Sequence, residues 1–386
     1  MDAERHSAYT RLAGVASACM VGLILTAGLW PFHVPHNRVY WLSANSGLKF
    51  GGHGSAVSRG SIQARHSVNS SGTLEILLEP ASSEASGTIL GFDASEHPGE
   101  PLSLHQRQDA LVIRRNNVDP KGISRTALII VGDVFRRGVP VLITASLDER
   151  GTAVYINGVL KNWSPLSRTW NDLTGRIVLA NSPTVDDSWS GTIRGLAIYP
   201  QPLTGRRARL DYMWWTGREK LAIPTESQAD ALYLFDEGNG VVVHNRMNQA
   251  TDLIIPASYF VLHPTFLRAP WSGYHALWSY WQDVIVNIVG FIPFGFCVCA
   301  YLWLKQPARY PGWTVVALGT LTSLTIEVLQ RFLPTRLSDA TDVITNTLGT
   351  VIGAIACRMI GKLLQLPRPK EGGRESEIVV APVTST

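Results

Sequence analysis

Four stretches of this chain, 12–30, 284–304, 312–333 and 343–361, run for roughly 18 or more residues with hardly a charge, the length a helix needs to cross a hydrocarbon core of about 30 Å. A backbone inside lipid must satisfy its own hydrogen bonds, so each stretch is constrained to be a helix. The segment between residues 32 and about 270 is of another kind, with charges every few residues and only short apolar runs. With 45% hydrophobic and 17% charged residues, the whole is too apolar for an ordinary soluble protein, and 12 Trp exclude general disorder. A formal net charge of +4, carried by scattered cations, argues against a nucleic-acid partner. The expected partners are therefore the lipid bilayer and whatever meets the intervening domain.

The first run follows Arg5 and Arg11, as a cleavable signal peptide would. Its length, and Trp30, Pro31 and Phe32 where small residues are wanted, favour an uncleaved anchor. Basic residues prefer the cytoplasm. Arg5 and Arg11, then Lys305 and Arg309, then Arg358, Lys362, Arg368 and Lys370 share one side only if both termini are cytoplasmic. The long domain and the loop 334–341 then face outward. Trp271, Tyr274, Trp278, Tyr280 and Trp281 read as an interfacial aromatic belt on that outer side. The expected organisation is an anchor at 1–31, an outer domain and connector at 32–270, membrane helices at 271–362, and a flexible cytoplasmic tail at 363–386. Cys19, Cys297, Cys299 and Cys357 all fall in the apolar stretches, so the outer domain is expected to lack disulfides.

Within the outer segment the apolar period is two, as in 73–79 (TLEILLE), 109–115 (DALVIRR) and 139–146 (VPVLITAS). Short strands punctuated by Gly, Pro, Asn and Asp, without intervening amphipathic helices, predict an all-β sandwich. The strand 152–158 ends in Asn157-Gly158, which suits a type I′ hairpin, and a second pair, Asn239-Gly240, follows the strand 231–235. These features, with 191–199 (GTIRGLAIY) and 202–204 (PLT), resemble laminin-G-like, concanavalin A-like jelly rolls. The resemblance implies binding of a glycan or a protein. Trp163, Trp170 and Trp189 are candidates for stacking on sugar rings, with core packing the plainer reading. Asp186 and Asp187 are candidates to help hold Ca²⁺, with an ordinary loop the plainer reading. A retaining glycosidase needs two carboxyl groups about 5 Å apart, and no Glu-x-Asp-x-Glu set offers them.

The last three spans carry polar groups at matched depth. Asp283 and Asn287 are four apart, Glu327 and Gln330 three apart, and Asp339, Asp342 and Asn346 follow at spacings of three and four, so each set shares a helix face. At about 1.5 Å per residue, Asn287, Glu327, Gln330 and Asn346 lie within roughly 5 to 10 Å of the outer boundary, in one layer. Ionisable groups there cost on the order of 2 to 3 kcal/mol each on insertion scales, so they are expected to face one another or a wet cleft. Arg336, with Arg331 second, is the expected counter-charge. Pro293 and Gly295 are expected to weaken the second helix midway, and Gly349 and Gly353 to offer a close-packing face. Structural glue and an outward-facing site both fit this pattern.

Asp283, the run 287–295 (NIVGFIPFG), 327–330 (EVLQ), Pro334, Arg336, Asp339, Asp342, Asn346 and Gly349 resemble the VanZ-like family of bacterial membrane proteins. The resemblance implies a link to tolerance of teicoplanin-type glycopeptides and supplies no reaction. Two functional classes remain open. In one, a multi-pass protein of the bacterial cytoplasmic membrane binds an envelope glycan or protein through its sandwich. In the other, it is a membrane-embedded enzyme acting on a lipid-linked substrate, with Glu327 as general base, Asp339 and Asp342 holding a divalent cation, and Asp283, Asn287, Gln330, Arg336 and Asn346 binding substrate. No other cofactor is expected. A transporter ranks third, because four spans without an inverted repeat make a poor pathway unless copies associate, which keeps a homo-oligomer among the candidate partners.

Overall fold

The computed structural model describes residues 2–42, 47–62, 71–94, 101–118, 124–165, 173–217, 229–270, 278–305 and 312–363. It divides into two compact units, Met1–Phe32 with Phe266–Phe332 and Ser338–Thr386, and His33–Thr265 with Leu333–Leu337.

The second unit is a sandwich of two antiparallel sheets. One comprises, in spatial order, β1 (Val39–Trp41), β2 (Leu48–Phe50), β13 (Gly191–Tyr199), β4 (Gly72–Pro80), β9 (Val141–Asp148), β10 (Gly151–Ile156) and β11 (Val159–Ser164), with β14 (Ala231–Tyr233) also on β13. The other runs β15 (Val242–Val243), β16 (Leu253–Ile254), β3 (Ala56–Ser58), β12 (Arg176–Leu179), β5 (Ser86–Asp93), β6 (Leu102–Arg107), β7 (Ala110–Val118) and β8 (Ser124–Val131). Strand β4 shows why the sequence folds this way. Leu74, Ile76 and Leu78 point into the core between the sheets, where they meet Leu104, Ile113 and Ile143. Each such side chain contributes about 2 kcal/mol by leaving water. Asn157 and Gly158 both take positive φ, 51° and 73°, which gives the tight β10–β11 turn its primed geometry.

One expectation fails here. A helix, α2 (Gly205–Thr216), does intervene, capped by the Thr204 side chain accepting from the Arg207 N–H. It buries Ala208, Asp211 and Trp215, a stripe at helical spacing, and Trp215 packs with Leu77 on the other face of β4. That face therefore also leaves water, which is why β4 is buried on both sides.

The first unit holds α1 (Asp2–Leu29), α3 (Trp278–Lys305), α4 (Trp313–Gln330) and α5 (Ala340–Leu363). Among the described residues, four stretches are long and apolar enough to cross a membrane: Glu4–Leu29, Tyr280–Lys305, Trp313–Gln330 and Ala340–Leu363. Leu321, Leu348, Ile352 and Ile355 are exposed on the helix surfaces, as lipid-facing side chains are, while Gly349, Thr350 and Gly353 are buried. A Cβ at Gly349 or Gly353 would run into the carbonyl oxygens of Ile288 and Ile292, so the two glycines let α5 approach the α3 backbone closely. Helix α3 continues through Pro293. Of the aromatic belt, Trp278, Tyr280 and Trp281 open α3, whereas Trp271 and Tyr274 lie outside the described residues, as do Arg309, Arg368 and Lys370. All four cysteines are free, and none belongs to the sandwich.

Candidate functional site

The polar groups of α3, α4 and α5 meet within the helical unit. On α4, Ser323 and Glu327 are one turn apart. On α5, Asp342 and Asn346 are likewise, and the two pairs face each other. The Asn346 Nδ2 donates to Ser323 Oγ at 2.9 Å, and the Asn287 Nδ2 of α3 donates to Asp342 Oδ1 at 2.8 Å. Asp283, one turn before Asn287, is exposed, and its charge acts on Asp342.

Asp339 ends the loop before α5 and has three tasks. Its Oδ1 accepts the Thr341 N–H at 2.8 Å, so it caps the helix. Its own N–H donates to Glu327 Oε2 at 2.9 Å, and the Ser338 hydroxyl also bonds Glu327. Its Oδ2 accepts from Arg268 Nε at 3.2 Å and Nη2 at 3.0 Å. The main chain secures this pair, since the Arg268 N–H donates to Ser338 O at 2.9 Å and the Ala340 N–H to Arg268 O at 3.1 Å. Glu327 is 1% exposed, which leaves a carboxyl group held by neighbours rather than by water.

One expected participant, Gln330, has another contact, and one ion pair differs from expectation. Gln330 donates through Nε2 to the Gly28 carbonyl of α1 at 2.9 Å, tying the anchor to α4. The cation paired with Asp339 is Arg268, whereas Arg336 falls in the segment Leu333–Leu337, grouped with the other unit. Arg331 lies with its guanidinium 5.7 Å from the Phe266 ring centroid. Sequence reasoning also missed Ser323 and Ser338. A Ser-Asp pair just before a helix is a capping signal that could have flagged Ser338, but nothing local links Arg268 to a residue 71 positions away. The buried Gln330 Oε1, Asn346 Oδ1 and Thr341 Oγ1 have no hydrogen-bond partner among the described residues. Among those residues no group of three or more His, Cys, Asp and Glu is placed to hold a metal ion. Chemically, the cluster offers carboxylates, one paired guanidinium and unfilled acceptors.

In the sandwich, the three tryptophans separate. Trp189 is fully buried and donates through Nε1 to Gln106 Oε1 at 2.7 Å, which makes it core. Trp163 is 56% exposed on the edge strand β11. The register pairs Tyr155 with Leu160 and Ala153 with Trp163, so a bulge at Lys161 brings exposed Leu160 and Trp163 to one face. Trp170 lies outside the described residues. Asp186 accepts from the Tyr259 hydroxyl at 2.5 Å, and Asp187 accepts from Thr88 at 2.5 Å beside His105. Burial alone would raise the Asp187 carboxyl, but hydrogen bonds from His105 and Thr88 and the nearby Arg114 charge hold it below its ordinary value. Both acids are thus employed in loop structure.

Residues 231–361 match the VanZ/LLP1 family. The match begins at β14, inside the sandwich, rather than at the membrane helices. No curated protein matches the chain. Among solved structures, the chain is similar to a putative carbohydrate binding protein from Bacteroides ovatus, at 10% identity over 60% of this chain and 63% of that one, with a TM-score of 0.37. It is also similar to the binding domain of botulinum neurotoxin DC in complex with rat synaptotagmin II, at 13% identity, 47% and 46% coverage and a TM-score of 0.36. A third is a botulinum neurotoxin type C structure described with two ganglioside molecules, at 14% identity, 47% and 46% coverage and a TM-score of 0.37. The chain spans less than two thirds of the length of each.

Proposed function

We propose that this VanZ-like membrane protein captures a glycan of the bacterial envelope through its sandwich, on the extracytoplasmic side, while its helices hold it in the cytoplasmic membrane. The observation that carries the reading is Trp163, an indole 56% exposed on an edge strand and sharing its face with exposed Leu160. An exposed aromatic ring flanked by apolar surface suits the C–H faces of a sugar. The test is binding of the full-length protein, in lipid nanodiscs, to polysaccharide extracted from its host envelope. Trp163→Ala is expected to weaken binding at least tenfold with unchanged folding. Equal binding by the variant would remove the basis of the reading.

A second reading is favoured by the membrane cluster. Glu327, Asp339 and Asp342 converge where Asn346 Oδ1 lacks a partner, an arrangement suited to the polar headgroup of a lipid-linked partner at the outer leaflet, either held or processed. A role in glycopeptide tolerance belongs with this reading. Glu327→Gln distinguishes the two outcomes. Loss of the envelope phenotype at normal membrane abundance supports a working site, and loss of the protein from the membrane assigns Glu327 to structure.

A further inference from the structure

The end of the sandwich at the β10–β11 turn contains a groove that no role described above uses. It encloses about 320 Å³ between the loop leading into β9 and the edge strand β11. Its walls mix two characters. Val139 and Val159 are 49% and 47% exposed, an apolar surface broad enough for one face of a sugar ring. Arg136 and Lys161 supply two exposed cations, and neither side chain is paired with any described residue.

The groove floor is rigid. Asn157 takes the Leu142 N–H on its Oδ1 at 2.9 Å and gives its own N–H to Leu142 O at 2.9 Å. The side-chain oxygen is therefore occupied, and the Asn157 Nδ2 remains as a fixed donor. Among the described residues of the lining, Asp133 is the one acid. Glu79, near Gly138 of the same loop, has its charge met by Arg194 at 2.7 Å. Cations therefore exceed anions among these lining residues.

We infer that this groove binds an anionic segment of an envelope glycan, its carboxylate or phosphate bridging Arg136 and Lys161 with Asn157 donating to it. The assignment rests on the glycan-capture reading and adds to it the ligand's charge and the place where that charge is met. Two solvent-exposed ion pairs are individually weak, so together they are expected to change affinity about tenfold and to be sensitive to salt.

The experiment uses the full-length chain in phosphatidylcholine nanodiscs, which carry no net charge of their own. Three probes are compared by biolayer interferometry: polygalacturonate for carboxylate, poly(glycerol phosphate) for phosphate, and dextran as the neutral control. One or both anionic polymers are expected to bind about tenfold more tightly than dextran, and the preference is expected to vanish in Arg136→Ala/Lys161→Ala and at 0.5 M salt. Which anionic polymer leads identifies the charged group. Dextran binding as tightly as the anionic polymers would overturn the inference while leaving glycan capture intact. A preference for anions that survives the double substitution would overturn the location. Failure of all three probes and of host envelope polysaccharide would overturn glycan capture itself. Both substituted side chains are exposed, and a circular dichroism spectrum and melting curve matching the parent confirm that the variant is folded.

Discussion

Glu75 lies on β4 beneath α2 with no exposed surface, and its replacement by Gln makes a stringent test of how that helix is held. Its Oε1 accepts from the Thr144 hydroxyl and its Oε2 from the Trp215 indole, each at 3.0 Å. Burial, with the Asp211 charge adding to it, raises the Glu75 carboxyl from 4.5 to about 7. That difference corresponds to roughly 3 kcal/mol of folding free energy. Below pH 4.5 the acid is protonated whether the chain is folded or not, and the sandwich has its full stability. Between pH 4.5 and 7 the unfolded chain loses its proton first, so stability falls, and above pH 7 the loss is complete and constant. Gln keeps the shape, its oxygen accepting from Trp215 and its NH₂ donating to the Thr144 hydroxyl, which can reverse its role. Denaturant unfolding of the full-length protein in detergent, followed by tryptophan fluorescence from pH 4.5 to 8.5, should show the parent's sandwich transition weakening by about 3 kcal/mol and that of Glu75→Gln staying nearly level. Parallel pH curves for the two proteins would refute the assignment of this proton to Glu75.

Other substitutions separate packing from recognition. Trp189→Ala is expected to destabilise the sandwich by about 3 to 5 kcal/mol, because it empties a core position and orphans Gln106, whereas Trp163→Ala should change stability by less than about 0.5 kcal/mol. Comparative melts check both. Gly353→Val places a side chain against the Ile292 carbonyl and should reduce membrane abundance severely, measured by immunoblot of isolated membranes, while the same change at exposed Gly290 should be tolerated. Arg268→Ala leaves Asp339 without its cation and is expected to lower bundle stability by roughly 1 to 3 kcal/mol, with Arg268→Lys restoring part of it, read as resistance to heat-induced aggregation in detergent.

Much of this architecture was legible in the residues. The four apolar runs could only be helices, and strands such as β4, β7 and β9 are long enough for alternation to register. Asn157-Gly158 announced its turn because few other pairs tolerate two positive φ angles. The elements that escaped were of two kinds. Strands of two or three residues, such as β15 and β16, are too short to show a period. Helix α2 was hidden because its buried stripe is Ala208, Asp211 and Trp215, where a charged residue interrupts the apolar signal and is met by Arg207 at 2.7 Å. In the membrane cluster, the spacing of Asp283, Asn287, Glu327, Asp342 and Asn346 predicted convergence, since helix faces repeat regularly. The counter-charge was not predictable in the same way. Arg336 sits close to Asp339 in sequence, but the main-chain bridge between Arg268 and Asp339 decides the pairing, and such a bridge leaves no periodic trace.

The proposed function requires the sandwich and the acid-bearing ends of α3 and α5 to face away from the cytoplasm. With Cys19, Cys297, Cys299 and Cys357 replaced by Ser, single cysteines at Trp163 and at Asp283, both exposed, can be probed with a membrane-impermeant maleimide on intact spheroplasts. Labelling of both positions before lysis is the expected result. Labelling of either one only after the membrane is broken would contradict the orientation on which glycan capture depends.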